Sequence, residues 1–307
     1  MNLKGRACRV WPPLVQPGPA GTPPGGIQKA ECIVDPPTQL HGSMKASLFF
    51  RLSFGYFTSF WRATPDFIII GTSKSGTGSL WRYLRRHPQI AGSFPLKETG
   101  YFARRYRLGF TWYKANFPVR KKGVKYFEAT PSYLMHPEAA ERIHAYNPAT
   151  RLIVLFRNPV DRAYSNYLHG RRVGARRAQR PFAEIIDEQV DHYNPADFDT
   201  SGSSHVHFGY VHPGCYMTHL KHWLKYFPRE QIKIIISDDM FRDTQGALNE
   251  MFEFVGVPPH PIEDLVAYNT NTYEEPMPPE TRAKLREFFR PYNEELFQFL
   301  GKRYDWE

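Results

Sequence analysis

The chain has 307 residues, which is enough for one large α/β domain with additional terminal segments. Its hydrophobic content of 41% suits a globular core, and its three scattered cysteines exclude a disulfide framework or a paired-cysteine zinc site. The formal net charge of +10 indicates an anionic partner, and charge alone leaves open nucleic acid, acidic lipid, acidic polysaccharide and a polyanionic cofactor.

Two N-terminal segments precede the first predicted strand. Residues 1–43 are rich in proline and glycine and have little apolar periodicity, so they are predicted to form a disordered tail. Residues 44–62 include an apolar, aromatic stretch from Ala46 to Trp61, which is shorter than the roughly 20 apolar residues that a membrane span needs. This stretch fits either a helix packed against the domain or a membrane anchor, whereas residues 63–307 are predicted to form one α/β domain.

From residue 65 onward, apolar β-branched runs alternate with helical patterns. Strands are predicted at residues 67–70, 125–128, 152–156 and 232–236. The first helix carries Leu80, Tyr83 and Leu84, and further helices are predicted at residues 137–146, 160–172, 182–192, 217–227, 245–255 and 279–300. Buried, non-alternating strands separated by helices predict a P-loop-type, mostly parallel sheet with helices on both faces.

The first chemical motif is the loop that follows the strand at residues 67–70. Gly71 to Ser79 reads Gly-Thr-Ser-Lys-Ser-Gly-Thr-Gly-Ser and leads into a helix. Unpaired N–H groups and the positive end of the helix dipole make such a loop a binding site for phosphate or sulfate. Nucleotide triphosphatases have a lysine directly after the second glycine, where this chain has Thr77. The lysine lies inside the loop at Lys74, which predicts a contact beside the bond to a leaving phosphate group.

The second motif follows the apolar run at residues 152–156 and extends from Arg157 to Ser165. An arginine at the carboxyl end of a buried strand lies where open α/β sheets bind ligands. Ser165 lies within the next helix, so both side chains can converge on one anion, and a guanidinium group suits a phosphate dianion. A structural pairing of Arg157 with Asp161 or Glu128 is the alternative.

A third phrase and two arginine clusters complete the candidate chemistry. Residues 95–102 contain Glu98, and a carboxylate close to an acceptor hydroxyl can act as a general base. Its alternative role is a surface pairing with Lys97 or Arg104. The arginine clusters either bind an acidic polysaccharide or form a solvated basic face. They consist of Arg104, Arg105 and Arg107, and of Arg171, Arg172, Arg176, Arg177 and Arg180.

Together these motifs resemble those of the sulfotransferase superfamily, over a range from about Pro65 to Trp306. The Lys-x-Gly-Thr loop resembles the 5′-phosphosulfate-binding loop, and the Arg-x-Pro-x-x-Arg-x-x-Ser phrase resembles the 3′-phosphate-binding motif. The resemblance implies the sulfotransferase fold, 3′-phosphoadenylyl sulfate (PAPS) as the donor and no metal. It implies that Lys74 stabilises the leaving phosphate. The implied donor-binding residues are Lys74, Ser75, Gly76, Thr77, Gly78, Ser79, Arg157 and Ser165.

Two phrases are similar to those of the glycosaminoglycan sulfotransferases. In the heparan sulfate 3-O- and N-sulfotransferases a glutamate in a Glu-x-x-Phe-Phe-like phrase is the base, and this similarity implies that role for Glu98. Residues 127–133 resemble the Glu-Lys-Thr-Pro-x-Tyr segment of the 3-O-sulfotransferases, but Ala129 replaces the lysine, so that Lys97 or Lys125 would have to substitute for it. The expected acceptor-binding residues are Lys97, Arg104, Thr130 and Ser132.

The predicted activity is transfer of a sulfuryl group from PAPS to a hydroxyl or amine, with an anionic glycan such as a glycosaminoglycan as the expected acceptor. A small-molecule acceptor is an alternative, and so is a P-loop kinase in which residues 234–238 form a Walker B-like strand end. A non-catalytic basic module for nucleic acid or heparin-like polymer would explain the charge but not the two anion-binding motifs.

Further expectations concern partners and location. Nucleic acid is not expected as a partner, whereas membrane association through residues 46–61 stays open. Cytoplasmic and Golgi-membrane locations are both compatible with the sequence. Residues 268–273 are expected to lie where the sulfotransferases close a loop over the nucleotide.

Overall fold

The computed structural model describes residues 53–195, 209–263, 265 and 275–306 of the chain. Five strands form one sheet in the order β2-β3-β1-β4-β5, and every neighbouring pair is parallel. The strands are β1 (Phe67–Gly71), β2 (Ile90–Gly92), β3 (Lys125–Ala129), β4 (Arg151–Phe156) and β5 (Ile232–Ile236). The predicted parallel sheet is therefore confirmed.

Nine α-helices that begin and end within the part of the chain that the structure describes accompany the sheet. They are α1 (Thr77–Leu84), α2 (Gly109–Lys114), α3 (Ala139–Tyr146), α4 (Pro159–Arg172), α5 (Phe182–Asp191), α6 (Tyr216–Leu224), α7 (Ser237–Arg242), α8 (Thr244–Val255) and α9 (Pro279–Leu300). Each connection between successive strands thus contains at least one helix, as is usual for the crossovers between parallel strands.

The central strands are apolar on both faces because helices cover both. Ile68 and Ile70 of β1 belong to one core, whereas Phe67 and Ile69 belong to the core on the opposite face. Helices α6 and α9 contribute to the first core, and α1 and α8 contribute to the second. A third cluster joins α4, α5 and the first half of α9. This arrangement explains why the strand signal in the sequence is a continuous apolar run.

Three short elements were not predicted from the sequence. Strand β2 has only three residues at the edge of the sheet, and helix α2 has six residues and begins at a glycine. Helix α7 follows β5 without an intervening loop, so the pattern at residues 234–238 looked like the end of a strand. The strands predicted at residues 152–156 and 232–236 and the helix at 279–300 are confirmed, with β4 beginning one residue earlier.

The order of the strands places the chemical motifs at one edge. Strand β1 lies between β3 and β4, and the chain leaves β1 toward β2 and β3 on one side before it returns to β4 and β5 on the other. A ligand crevice forms outside the carboxyl ends of the strands at such a change of direction. The segments that follow β1, β3 and β4 therefore meet at this carboxyl edge.

Some predictions concern residues for which no structure is described. The tail at residues 1–43, the part of the apolar segment before residue 53 and the loop at residues 268–273 all lie outside the described residues. Residues 53–57 are helical, and a 3₁₀ turn follows at Ser59–Trp61. Within the described ranges, no helix combines the length and the hydropathy that crossing a bilayer requires.

Candidate functional site

The loop between β1 and α1 is a tight turn that leads directly into a helix. Gly76 has φ 93° and precedes the first residue of α1, and Lys74 has φ 71°, a left-handed conformation that is uncommon for a residue with a side chain. The first bond within the helix runs from Leu80 N to Gly76 O at 3.0 Å. The N–H groups of Thr77 and Gly78 therefore have no acceptor within the helix, as expected at a helix N-terminus.

Buried hydroxyl groups line this loop and support its fit to a phosphate group. Thr72, Ser75, Thr77 and Ser79 are all buried. The side-chain oxygens of Thr72 and Ser75 have no hydrogen-bond partner within the part of the chain that the structure describes. Because a buried hydroxyl without a partner costs free energy, such a site favours a ligand with strong acceptor oxygens.

Lys74 lies in a strongly electropositive environment. The pKa of its ammonium group is lowered from 10.5 to about 8, first by burial and in addition by the positive charges of Arg172, Arg157 and Lys97. The Nη1 of Arg157 also donates to the carbonyl oxygen of Lys74, at 3.4 Å. Four cationic side chains from four segments of the chain thus surround one position, which suits a ligand with several negative charges.

Arg157 follows β4 directly, and its backbone is fixed by its neighbours. The hydroxyl of Tyr216 donates to the carbonyl oxygen of Arg157 at 2.7 Å. The two structural partners considered from the sequence are engaged elsewhere, since Asp161 accepts from Arg282 at 2.8 Å and Glu128 is enclosed by hydroxyl groups. The guanidinium of Arg157 therefore lies beside the Lys74 loop, where a phosphate would bind.

Helix α4 presents a second row of side chains to this site. Ser165 is buried within α4, and His169 and Arg172 follow it at positions i+4 and i+7, on the same helical face. The Nδ1 of His169 lies 3.1 Å from Arg172 Nη2. Burial lowers the pKa of His169 to about 4, and the charges of Lys74 and Arg172 contribute to this decrease. His169 is therefore neutral at physiological pH and is able to accept from the guanidinium.

Three of the four other arginines of this cluster have partners of their own. Arg171 contacts Glu275 at 3.4 Å, Arg180 contacts Glu188 at 2.7 Å, and Arg177 lies over the ring of Tyr210. These residues were predicted as one arginine cluster together with Arg172, and His169 was not predicted as a site residue. The i, i+4, i+7 spacing from Ser165 is the signal that distinguishes His169 and Arg172 from the remainder.

Glu98 lies on an exposed loop next to Lys97. Its side chain is 55% exposed, and Lys97 Nζ lies 3.3 Å from Glu98 Oε1. Because the charge of Lys97 also lowers the pKa of Lys74, this pair lies within electrostatic reach of the loop that follows β1. Arg105 donates to the carbonyl oxygen of Thr99 at 2.5 Å and thereby holds the loop. Arg104 is exposed and is not among the charges that affect Lys74.

Glu128 connects the Glu98 loop to the sheet, and the sequence did not indicate this role. Its carboxylate is fully buried and accepts four hydrogen bonds of 2.6–3.0 Å. Burial raises the pKa of Glu128 despite these four donors. The hydroxyl of Thr130 is one of them and also accepts from Gly100 N at 3.1 Å, so that it faces Glu128. The donors are Thr99, Tyr113, Thr130 and Tyr133.

Ala129, which stands where the similar segment has a lysine, is buried in the core. Of the two lysines predicted to substitute for it, Lys125 begins β3, and its Nζ lies 3.8 Å from Asp66 Oδ1, at the amino edge of the sheet. Lys97 is therefore the lysine of the two that lies at the carboxyl edge. Ser132 lies half-buried in the segment after β3.

The end of β5 does not have the arrangement that a kinase needs. Ser237, the first residue of α7, contacts Ser75 O at 2.6 Å and Phe156 O at 2.9 Å, and so braces the loop. The carboxylate of Asp238 contacts Trp306 Nε1 at 3.4 Å. Asp239 accepts from Lys302 and Tyr304. These contacts engage both acids with the C-terminal segment, so the structure does not support Asp238 as a magnesium ligand beside the loop.

Comparison with known proteins gives an independent result. A family model described as "Sulfotransferase domain" matches residues 64–290. Heparan sulfate glucosamine 3-O-sulfotransferase 6 of Homo sapiens is 30% identical over 271 residues, which cover 80% of this chain and 74% of that protein. A solved sulfotransferase from Alicyclobacillus acidocaldarius has a TM-score of 0.65 and 27% identity, and the match covers 80% of this chain and 99% of that one.

A second solved structure extends the likeness in fold. It is the mouse sulfotransferase SULT7A1 complexed with PAP, with a TM-score of 0.50 and 15% identity. The match covers 82% of this chain and 94% of that chain.

Proposed function

This chain belongs to the sulfotransferase family, and on that premise we propose that it transfers a sulfuryl group from PAPS to an acidic glycan. The acceptor group is a hydroxyl or an amine, and the expected acceptor class is glycosaminoglycan. The observation that carries the proposal is the position of Lys74, which lies in the loop between β1 and α1 with three further cations around it.

The donor is held by two segments of the carboxyl edge. The loop from Lys74 to Ser79 holds the 5′-phosphate through backbone N–H groups and the hydroxyls of Ser75, Thr77 and Ser79. Arg157 and Ser165 hold the 3′-phosphate, and Arg157 is supported in this position by its contact with the Lys74 carbonyl oxygen. Residues 63–307 form the catalytic domain in this proposal.

Two side chains act on the reacting groups. Sulfuryl transfer needs an in-line nucleophile and positive charge at the departing oxygen, and the ammonium group of Lys74 supplies that charge. Glu98 accepts the proton of the attacking hydroxyl, for which its exposed position on the loop is suitable. Because Lys74 provides the required charge, we propose that the reaction needs no metal, and we expect a chelator to leave the rate unchanged.

The choice of an acidic glycan rests on the charges around the site and on the relatives. Lys97 and Arg172 extend the positive region beyond Lys74, and exposed Arg104 and half-buried Ser132 belong to neighbouring segments. Several similar proteins of Homo sapiens and Mus musculus are described as heparan sulfate glucosamine 3-O-sulfotransferases. We therefore assign the acceptor to the same chemical class.

The test is a transfer assay with the full chain, sulfur-labelled PAPS and a panel of acceptors. The panel contains heparan sulfate, chondroitin and a phenol, and we expect label on the glycosaminoglycan. Lys74→Ala should lower kcat by about 10²–10³-fold, and Glu98→Gln by about 10²-fold or more. Lys125→Ala, at the opposite edge of the sheet, is the matched lysine control and should retain activity.

The outcomes separate the parts of the proposal. Activity of Lys74→Ala within twofold of the unmodified chain would remove its catalytic role. Label on the phenol alone would overturn the glycan acceptor and leave the sulfuryl transfer intact.

A further inference from the structure

An exposed group of aromatic side chains precedes β1. Phe57 and Phe60 are each 83% exposed, and Trp61 is 63% exposed. Phe54 and Tyr56 are exposed as well, and Val119 adds a sixth apolar side chain from the segment before β3. Side chains of this size are costly to leave in water, so a contiguous exposed group of them marks an interaction surface. We call these six residues the aromatic surface.

The chain that carries this surface is tied to the domain. Gly55 lies so close to helix α2 that a Cβ there would approach the carbonyl oxygen of Ala115 to 2.6 Å, so only glycine permits this contact. Ala63 N donates to Pro118 O at 2.9 Å, and Arg120 N donates to Trp61 O at 3.0 Å. The backbone is therefore fixed while the aromatic rings point outward. Because the backbone of this segment is held against the domain, its aromatic side chains form a surface with a defined arrangement.

A basic cleft adjoins the aromatic surface. Two neighbouring cavities, of about 320 and 610 Å³, share Asp66, Arg120 and Lys125 in their walls. The cations that line them are Arg120, Lys121, Lys122, Lys125 and Arg151, whereas Asp66 is the only carboxylate among the lining residues. Asp66 is engaged by Tyr126 N at 2.8 Å. This excess of positive charge suits phosphate-containing headgroups.

The location of the surface is separate from the catalytic site. Trp61 lies shortly before β1, and Lys121 and Lys122 lie shortly before β3, so both groups belong to the amino edge of the sheet. The donor-binding motifs lie at the carboxyl edge. A partner bound to the aromatic surface and the cleft would leave the catalytic edge open to an acceptor.

We propose that the aromatic surface and the basic cleft dock the domain onto a bilayer that contains anionic lipids. Aromatic rings with adjacent lysines are the combination that suits a membrane interface, where rings enter the headgroup region and ammonium groups bind phosphates. An acidic polysaccharide would use the cations but would not account for Phe57 and Phe60 pointing into solvent. This inference does not depend on the proposed transferase activity.

The test is sedimentation of the full chain with sucrose-loaded vesicles. We expect at least about tenfold tighter binding to phosphatidylcholine vesicles that contain about 30% phosphatidylserine than to pure phosphatidylcholine. Phe57→Ser/Phe60→Ser should bind the vesicles with phosphatidylserine about tenfold more weakly or worse, because the contribution of the two phenylalanine rings to membrane binding is removed. Lys121→Glu/Lys122→Glu should reduce the affinity for these vesicles by a similar factor, and the binding that remains should depend less on the salt concentration.

Controls and a second measurement keep the outcomes distinct. Val173→Ser changes a 53% exposed apolar side chain at the end of α4 and should bind like the unmodified chain. Lipids with brominated acyl chains quench the fluorescence of a tryptophan that contacts them. They should therefore reduce the tryptophan fluorescence of the unmodified chain by a larger fraction than that of Trp61→Phe. Unchanged vesicle binding by Phe57→Ser/Phe60→Ser would overturn the proposal, as would equal binding to both vesicle types. Loss of transferase activity in these variants is not expected.

Discussion

Lys74 shares its surroundings with Arg157, Arg172 and Lys97, and like charges so close together destabilise one another unless an anion binds. The lowered pKa of Lys74 is a consequence of burial and of this repulsion. A nucleotide with two phosphate groups would relieve both effects, since it restores the charged form of the amine. Binding of such a nucleotide beside Lys74 is therefore expected to be accompanied by proton uptake.

This coupling predicts a pH dependence for adenosine 3′,5′-bisphosphate. The free protein has a Lys74 pKa of about 8, so the charged amine predominates at pH 7 and only about one tenth remains at pH 9. The dissociation constant should increase by up to about tenfold per pH unit above pH 8. Calorimetry in buffers of different ionisation enthalpy should show proton uptake at pH 8. Lys74→Arg, which stays charged, is the control, and a parallel slope in that variant would contradict the assignment.

Arg172 provides a second prediction at the level of one residue. Replacing it with alanine removes a positive charge that lowers the pKa of Lys74, so the pH at which bisphosphate binding weakens should move upward. Arg171→Ala is the matched control, because Arg171 contacts Glu275 and is not among the charges that affect Lys74. The measurement is the pH profile of the dissociation constant for both variants. A shift of equal size in Arg171→Ala would indicate a general charge effect.

At the level of elements, Glu128 joins three parts of the structure. It is the penultimate residue of β3, and its carboxylate accepts from Tyr113 in the last turn of α2, from Thr99 beside Glu98 and from Thr130. A fully buried carboxylate with four donors is satisfied only while all three segments stay in place. The position of the loop that carries Glu98 is therefore set from inside the domain.

Glu128→Ala should lower the free energy of unfolding by about 3 kcal/mol, because it leaves a cavity and four hydroxyls without their acceptor. Glu128→Gln should cost less, because the amide keeps the shape and hydroxyls can also accept. The pKa of Glu128 is raised on folding, so its stabilising contribution is fully present below its unfolded pKa and decreases as pH rises through the folded pKa. Urea unfolding should therefore show a larger deficit of Glu128→Gln at pH 5 than at pH 8. A deficit that grows with pH would contradict the direction of this shift.

The sequence predicted the elements whose signal is local. The apolar runs of β1, β4 and β5 are unambiguous because residues of these strands contact the cores on both faces of the sheet, and the loop after β1 is defined by its glycines and Lys74. The contact between Thr99 and Glu128 joins residues 29 positions apart, and no spacing rule connects them. Strand β2 has only three residues and is formed through its pairing with β3. A segment this short has no periodicity from which that pairing could be predicted. His169 and Arg172 could have been found from helical spacing.

At the scale of the whole molecule, the two proposed sites use opposite edges of one sheet. The donor motifs follow the carboxyl ends of β1 and β4, whereas the aromatic surface and the basic cleft precede β1 and β3. Two separate groups of cationic side chains in the described part of the chain thus lie at these two edges. A polyanionic acceptor can approach one edge while the other contacts acidic lipid.

Donor binding should also stabilise the whole domain, because the proposed nucleotide site joins segments that follow two adjacent central strands. At about one hundred times its dissociation constant, adenosine 3′,5′-bisphosphate should add about 2.7 kcal/mol to the free energy of unfolding. For a domain of this size that corresponds to an increase in Tm of about 5–10 °C. Differential scanning fluorimetry measures this increase.

Comparing adenosine 3′,5′-bisphosphate with adenosine 5′-phosphate, which lacks the 3′-phosphate, tests the proposed 3′-phosphate site by itself. Adenosine 5′-phosphate at the same concentration should give a smaller increase in Tm, because Arg157 and Ser165 then lack their proposed ligand. In Arg157→Ala the two nucleotides should give nearly equal increases, since the group that distinguishes them is removed. Equal increases in the unmodified chain would show that the segment after β4 does not bind the 3′-phosphate, whereas the loop after β1 would keep its role as the 5′-phosphate site.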